Sequence, residues 1–307
     1  MLQPVLSFAP AEIVRLQRLR AFCCRRLRDR FALPLASGED DGSILNQLGD
    51  GNTATVVQSG ERESSNLLQT SEGNKALVRQ NGIENVSLLE QNGDGGHDAN
   101  VLQEGSANFS DIIQNGSGSR TGNTNNAGVD QRRERLPGAA GLTDTEFGRN
   151  QFASITQSGD ENTAQTLQFG TNQRAVIEQI GNNNGLPGAI ERGAEIFQGG
   201  DDGRDNDATI TQLSDRNRAL IDQQGSSLSA NVSQAGDGGN TSIVMQSGDG
   251  GAVMLNAGVI QNGADNLSEI LQDGSGHTAA VTQNSDANES FVNQSGSSNS
   301  VTVMQGS

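Results

Sequence analysis

Tryptophan and tyrosine are absent from these 307 residues, and nine phenylalanines are the whole aromatic content, 3%. With 32% hydrophobic residues and 40 glycines, a core of interlocked aromatic and leucine side chains is excluded. Cysteine is confined to Cys23 and Cys24; neighbouring cysteines rarely bridge, so there is no disulfide framework. Basic residues are few: 20 Lys plus Arg stand against 37 Asp plus Glu, a net charge of −17. That sign disfavours nucleic acid, whose phosphates need clustered Lys and Arg. No stretch approaches the roughly 20 apolar residues of a transmembrane span. Cysteine and histidine form no metal-ligand cluster and no nucleotide loop is present, so no cofactor or metal is expected.

What the chain has instead is a beat. Gln47, Gln58, Gln69, Gln80 and Gln91 open a series that closes with Gln261, Gln272, Gln283, Gln294 and Gln305, every step being 11 residues. Of 21 such anchors, which also include Gln157, Gln168, Gln212 and Gln223, 13 of the 20 intervals are 11 residues and the rest are 12 to 26. Two residues before the anchor stands an aliphatic residue in 20 units, Thr166 being the exception. Four before it stands Ala or Ser, again in 20. Six before it Asn is commonest: Asn52, Asn74, Asn206, Asn217, Asn266, Asn288 and Asn299. Offsets of 6, 4, 2 and 0 share the parity of a strand, which sends all four side chains to one face. Gly follows two residues after the anchor in 16 units. Each unit thus reads as a strand of about seven residues and a tight corner of about four.

A longer period shows that one coil takes two units. The small residue alternates Ser43, Ala54, Ser65, Ala76, Ser87, Ala99, and the aliphatic one Leu45, Val56, Leu67, Val78, Leu89, Val101. The expected fold is therefore all-β: a parallel β-solenoid of cross-β type, two strands per ~22-residue coil and about 10–11 coils, its two sheets about 10 Å apart. The alternation returns near the C-terminus on strands of opposite parity (Ser242, Ala257, Ser268, Ala279, Ser290), which predicts a further degenerate strand near Glu146, between Gln131 and Gln157. Such a composition is also that of disordered chains, but a disordered tract has no reason to hold this register. Stacked Asn and Gln amides would supply the cohesion that a thin aliphatic core lacks.

Residues 37–307 form the repeat array, with insertions at 132–150 and 180–197 and a balance of −22 from 13 basic and 35 acidic residues. Residues 1–36 are of another kind. Seven arginines from Arg15 to Arg30 alternate with Leu and Phe, a stretch compatible with a basic helix and readable as a leader. Its apolar run is short for a secretory signal.

The unit Gln-x-Gly-x-x-Asn-x-Ala-x-x-x-Gln, whole in Gln47 to Gln58 and with Ser for Ala in Gln261 to Gln272, resembles the curlin repeat of curli, the extracellular amyloid fibres of bacterial biofilms. The resemblance covers about 260 residues. It implies export through an outer-membrane secretion machinery, polymerisation from a nucleator at the cell surface, and a part in adhesion and biofilm matrix. It also implies that the inner Gln and Asn form the ladder. The array is about twice as long as five-repeat members of that family and lacks their tyrosine.

The partner expected from the ends is the chain itself. The last unit, Asn299 to Gln305, is regular; an open strand edge templates another chain, and unlike ends grow an open head-to-tail filament. Rival readings are a monomeric binding solenoid: an adhesin, an ice binder suggested by outward Thr53 and Thr55, or a calcium binder suggested by the runs 199–203 and 236–239. The nine-residue calcium repeat is missing, and no outward Thr-x-Thr rank is sustained. Catalysis is not expected. His97 and His277 both occupy the Asn offset, where a hydrogen-bonded structural histidine is the simpler reading.

Overall fold

The computed structural model describes residues 31–39, 41–70, 72–94, 96–117, 126–132, 151–159, 161–184, 193–199, 204–249 and 254–306. These form 22 strands. The first eleven are β1 (Phe31–Glu39), β2 (Gly42–Leu48), β3 (Thr53–Glu61), β4 (Ser64–Thr70), β5 (Lys75–Ile83), β6 (Val86–Asp94), β7 (Asp98–Ser106), β8 (Phe109–Ser117), β9 (Asn126–Arg132), β10 (Phe152–Ser158) and β11 (Thr163–Phe169). The others are β12 (Arg174–Ile180), β13 (Ala194–Gly199), β14 (Asp207–Gln212), β15 (Arg218–Ser226), β16 (Leu228–Gly238), β17 (Thr241–Asp249), β18 (Leu255–Ala264), β19 (Leu267–Ser275), β20 (Thr278–Gln283), β21 (Glu289–Ser297) and β22 (Ser300–Gln305). Odd strands build one 11-stranded sheet and even strands another, in sequence order. All pairings are parallel. The chain is a parallel β-solenoid with two strands per coil.

Register follows the anchor. Gln58 stands beside Gln80, Gln80 beside Gln103 and Gln283 beside Gln305. The inward face alternates without a slip: in β3 Ala54, Val56 and Gln58 are buried while Thr53, Thr55 and Val57 are not. Between the sheets lie columns of Ala or Ser and of Val, Leu or Ile, with Ile155, Ile177, Ile196, Ile210 and Ile221 fully buried in the middle coils. Burying a methyl-bearing column in every coil yields roughly 25 cal/mol per Å² of apolar surface. Because each coil covers the next, no single rung needs a large side chain.

Two positions turn each corner. The Gly two residues past the anchor lies where the next coil passes closely: a Cβ on Gly82, at φ +150°, would stand 1.7 Å from the Gly105 carbonyl oxygen. Four residues past the anchor the backbone is left-handed even where the residue is not glycine, as at Arg62, Glu84, Ala107, Asn172, Arg216 and Ser298, with φ from 55° to 61°. The N–H of this residue continues the axial ladder, Glu84 to the Glu61 carbonyl and Ala107 to the Ile83 carbonyl, each at 2.9 Å. The strained conformation costs on the order of 1 kcal/mol per non-glycine residue, and coil-to-coil bonding holds it.

Three expectations need correction. The described stack begins ahead of residue 37: β1 starts at Phe31 and pairs with β3 over nine residues, so residues 31–36 form a rung. Ala36 occupies the anchor slot beside Gln58, so the glutamine beat does not mark this rung; residues 1–30, the rest of the expected leader, lie outside the described residues. The insertion expected over 180–197 is narrower, since β12 ends at Ile180 and β13 begins at Ala194. No rung is added between Gln131 and Gln157. Residue 146 itself lies outside the described residues, but β8 pairs directly with β10 and β9 with β11. Ser and Ala therefore do exchange sheets along the stack.

Candidate functional site

The residue that repeats most strictly is also the most heavily bonded. Gln58 Nε2 donates to Gln80 Oε1 at 2.9 Å, one coil further on, and to the Gly42 carbonyl at 3.2 Å, on the first residue of facing strand β2. Gln69 repeats this with Gln91 at 2.8 Å and the Thr53 carbonyl at 3.2 Å. One amide thus ties coil to coil with one hydrogen and sheet to sheet with the other. The link across the sheets has no signature in residue spacing alone.

In the even sheet the ladder runs through Gln47, Gln69, Gln91, Gln114, Gln157, Gln179, Gln212, Gln234, Gln261, Gln283 and Gln305, ten steps of 2.8 to 3.1 Å. In the odd sheet it runs from Gln58 through Gln80, Gln103, Gln131, Gln168, Gln198, Gln223, Gln246 and Gln272 to Gln294, nine steps of 2.8 to 3.0 Å. Every step has the same direction, Nε2 donating toward the C-terminal coil. Aligned amides polarise one another, so the column is a polar wire with an acceptor end and a donor end. At the acceptor end Gln58 Oε1 is buried without a partner, in register with Ala36.

Asparagine works differently. Rather than stacking amide on amide throughout, Asn52 Oδ1 accepts the backbone N–H of Asn74 at 2.9 Å, and its Nδ2 donates to the Leu48 carbonyl at 3.2 Å. Asn206 Oδ1 takes the N–H of Leu228 at 3.0 Å while Nδ2 donates to the Gly225 carbonyl at 2.8 Å. Asn217 accepts from the N–H of Asn240 at 3.1 Å. The shorter asparagine side chain thus reaches a corner carbonyl, its own at Asn52 and the next coil's at Asn206, and so pins the turn. Direct amide contact occurs at Asn266 and Asn288, whose Nδ2 atoms donate to Asn240 and Asn266. Asn299 Nδ2 caps the Ser295 carbonyl at 2.9 Å.

Both histidines fill Asn slots and are fully buried. The His277 ring bridges the Asp273 carbonyl at Nε2 (3.1 Å) and the Asn299 N–H at Nδ1 (3.2 Å), which fixes Nε2–H as the donor and Nδ1 as the acceptor. His97 likewise meets the Asn92 carbonyl at 3.0 Å. Among the described residues no group of three or more His, Cys, Asp or Glu converges as a metal site, and no described helix is long and apolar enough to cross a membrane.

One slot in the corner column carries a buried carboxylic acid. Glu63, 1% exposed, stands where Asn is usual. Asn85 Nδ2 donates to its Oε1 at 3.0 Å, Oε2 has no partner, and Asp41 accepts the Glu63 N–H at 3.0 Å. Burial pushes its pKa from 4.5 to about 7 against the bond from Asn85, and the Asp41 charge adds to the rise. On the outer face, burial and then Glu90 raise Asp111 above the ordinary carboxylate value.

The geometry defines a class: a two-sheet parallel solenoid whose cohesion runs along buried amide columns. Within that class, the curlin associated repeat family matches residues 159–186 and 203–236, covering β11 and β12 and most of β14 to β16, so these coils carry curlin repeats. The same register extends through all 22 strands. No curated protein matches the sequence.

Proposed function

We propose that this chain is a secreted structural subunit that polymerises head to tail into curli-like extracellular fibres, serving adhesion and biofilm matrix at the cell surface. The continuous, one-directional glutamine ladder carries this reading. A wire with unlike ends accepts another copy in one orientation, Gln305 supplying a donor and Gln47 an acceptor in the even sheet, while β21 and β22 continue their sheets into the next copy's rungs. Axial stacking adds backbone bonds every ~4.8 Å, so each copy contributes a block on the order of 50 Å. By family likeness, a surface nucleator and an outer-membrane export pore are its partners. The solenoid serves as scaffold, without catalysis.

The test is to follow thioflavin fluorescence of the purified chain and take fibre diffraction of the product. A lag that seeds abolish, then growth, and a meridional reflection near 4.8 Å are expected. Raising salt from 0.01 to 0.15 M, which cuts the Debye length from about 30 to about 8 Å, should speed growth because the chain carries −17. A folded chain that stays monomeric for days would sink the proposal.

A further inference from the structure

The outer face of the even sheet is uncharged in β2 and β4, carries charge in its middle rungs and is uncharged again toward β22. Through β6, β8 and β12 it carries Glu90, Asp111, Arg174 and Glu178. From β16 through β18, β20 and β22, the outward positions from five before each anchor to one after it hold no charged residue. They are small and polar, as Asn231, Ser233, Gly258, Ala280, Thr282 and Thr302 illustrate. Two apolar side chains stand proud among them, Ile260 at 46% and Met304 at 75% exposure. Across the same coils the odd sheet presents Arg218, Asp222, Glu269, Asp273 and Glu289.

We infer that this neutral face is where a second copy of the chain packs laterally, face to face, so that filaments pair into bundles; the inference rests on the polymer reading above. Charge selects the occupant. In a molecule of −17, contact through the odd sheet or the acidic corners sets carboxylates against carboxylates, which this face avoids. Ser, Thr, Asn, Ala and Gly on a flat, regularly spaced sheet interdigitate closely, and Ile260 and Met304 lose their water. An isologous contact needs only self-complementarity. Four rungs of ~4.8 Å by seven residues of ~3.3 Å give about 400 Å² per copy, half the ~800 Å² per partner of a stable complex. Isolated subunits therefore stay apart, whereas a filament repeats the contact at every copy and pairs by multivalency.

The experiment compares N231D/T282D, on this face, with T241D/S247D, which adds the same charge to the odd sheet in neighbouring coils. Mass per length is measured on unstained filaments by dark-field electron microscopy. Wild type and T241D/S247D should carry twice the mass per length of N231D/T282D, and mixing N231D/T282D with N231K/T282K should restore the doubled value. Equal mass per length in all of them overturns the lateral face and leaves the polymer standing. Filaments of N231D/T282D that stay paired but lose co-sedimentation with cellulose reassign the face to a neutral glucan. Absence of any filament from wild type overturns the polymer reading and this inference with it.

Discussion

The middle of the stack and its two flanks solve the same packing problem with different atoms. In the N-terminal flank the even sheet turns Ser65, Ser87 and Ser110 inward and the odd sheet Ala54, Ala76 and Ala99; in the C-terminal flank the roles exchange, with Ser242 and Ser268 odd and Ala257 and Ala279 even. The middle rungs use alanine on both sides, Ala153, Ala164, Ala175, Ala194, Ala208 and Ala219, beside a run of buried isoleucines. Hydroxyls of Ser65, Ser87, Ser110, Ser242 and Ser268 find no protein partner. The most apolar rungs also flank the two longest stretches of sequence between successive strands, residues 133–151 and 181–193. Even there the ladder keeps step, Gln114 to Gln157 at 3.1 Å and Gln131 to Gln168 at 2.8 Å. Loop closure costs rise only slowly with length, so a tight local core is enough to absorb an insertion. What the two regions share is the corner and the amide; what differs is the filling.

The largest effect should fall on what is shared. Alanine at Gly82, in the flank, would place Cβ 1.7 Å from a carbonyl oxygen, and alanine at Gly159, in the middle, 2.1 Å from the Gly181 oxygen. Both contacts are with backbone, which cannot rotate away, so each substitution should cost about 3 kcal/mol or more, read as a drop in the urea midpoint of the monomer. If Gly159→Ala is tolerated while Gly82→Ala is not, the middle coils are less tightly stacked and the comparison breaks.

Acidity should act most strongly on the N-terminal flank. The folded pKa of Glu63, about 7, lies above its unfolded value, so this group's stabilising contribution is full below about 4.5 and is lost as pH rises through 7. Hydrogen exchange of β4 and β6 should therefore quicken between pH 5 and 8 more than that of β12 and β14. Glu63→Asn, which restores the usual corner residue, should remove the excess and slow exchange at pH 8. An unchanged pH profile in that variant would show that Glu63 titrates as an ordinary surface acid.

The fillings themselves can be exchanged. An unpaired buried hydroxyl costs about 1 kcal/mol or more relative to its absence, so Ser87→Ala and Ser268→Ala should each stabilise by about that amount, and Ala175→Ser should destabilise similarly. Loss of stability in Ser87→Ala would mean that the hydroxyls are satisfied by ordered water.

Much of this architecture is legible in the chain because the strand period forces it. Anchors at offset 0 and aliphatics at −2 fix which face is buried, and the Ser and Ala alternation fixes two strands per coil. What escaped is contact that no spacing encodes. The bond from Gln58 to the Gly42 carbonyl depends on how the sheets face each other. The left-handed corner at Ala107 is set by the coil beneath it and runs against local propensity. The change of parity suggested a missing strand, since a swap of sheet and an extra rung leave the same trace in one dimension.

Rung β1 offers the finest test, because it carries the stack but not the wire. It pairs with β3 in full register, yet its residue 36 is alanine and Gln58 Oε1 beside it has no donor. Every other step of the odd ladder supplies that oxygen with an Nε2–H from the preceding coil, as Gln58 does for Gln80 at 2.9 Å. Ala36→Gln should add the missing donor and stabilise the N-terminal coil by about 0.5–1 kcal/mol, the net worth of one hydrogen bond less the rotamer freedom it freezes. Slower exchange of the β3 amides would report it, with the middle rungs unmoved. If β3 is unchanged, backbone pairing alone sets the stability of a rung, and the glutamine column governs which coil follows rather than how firmly it is held.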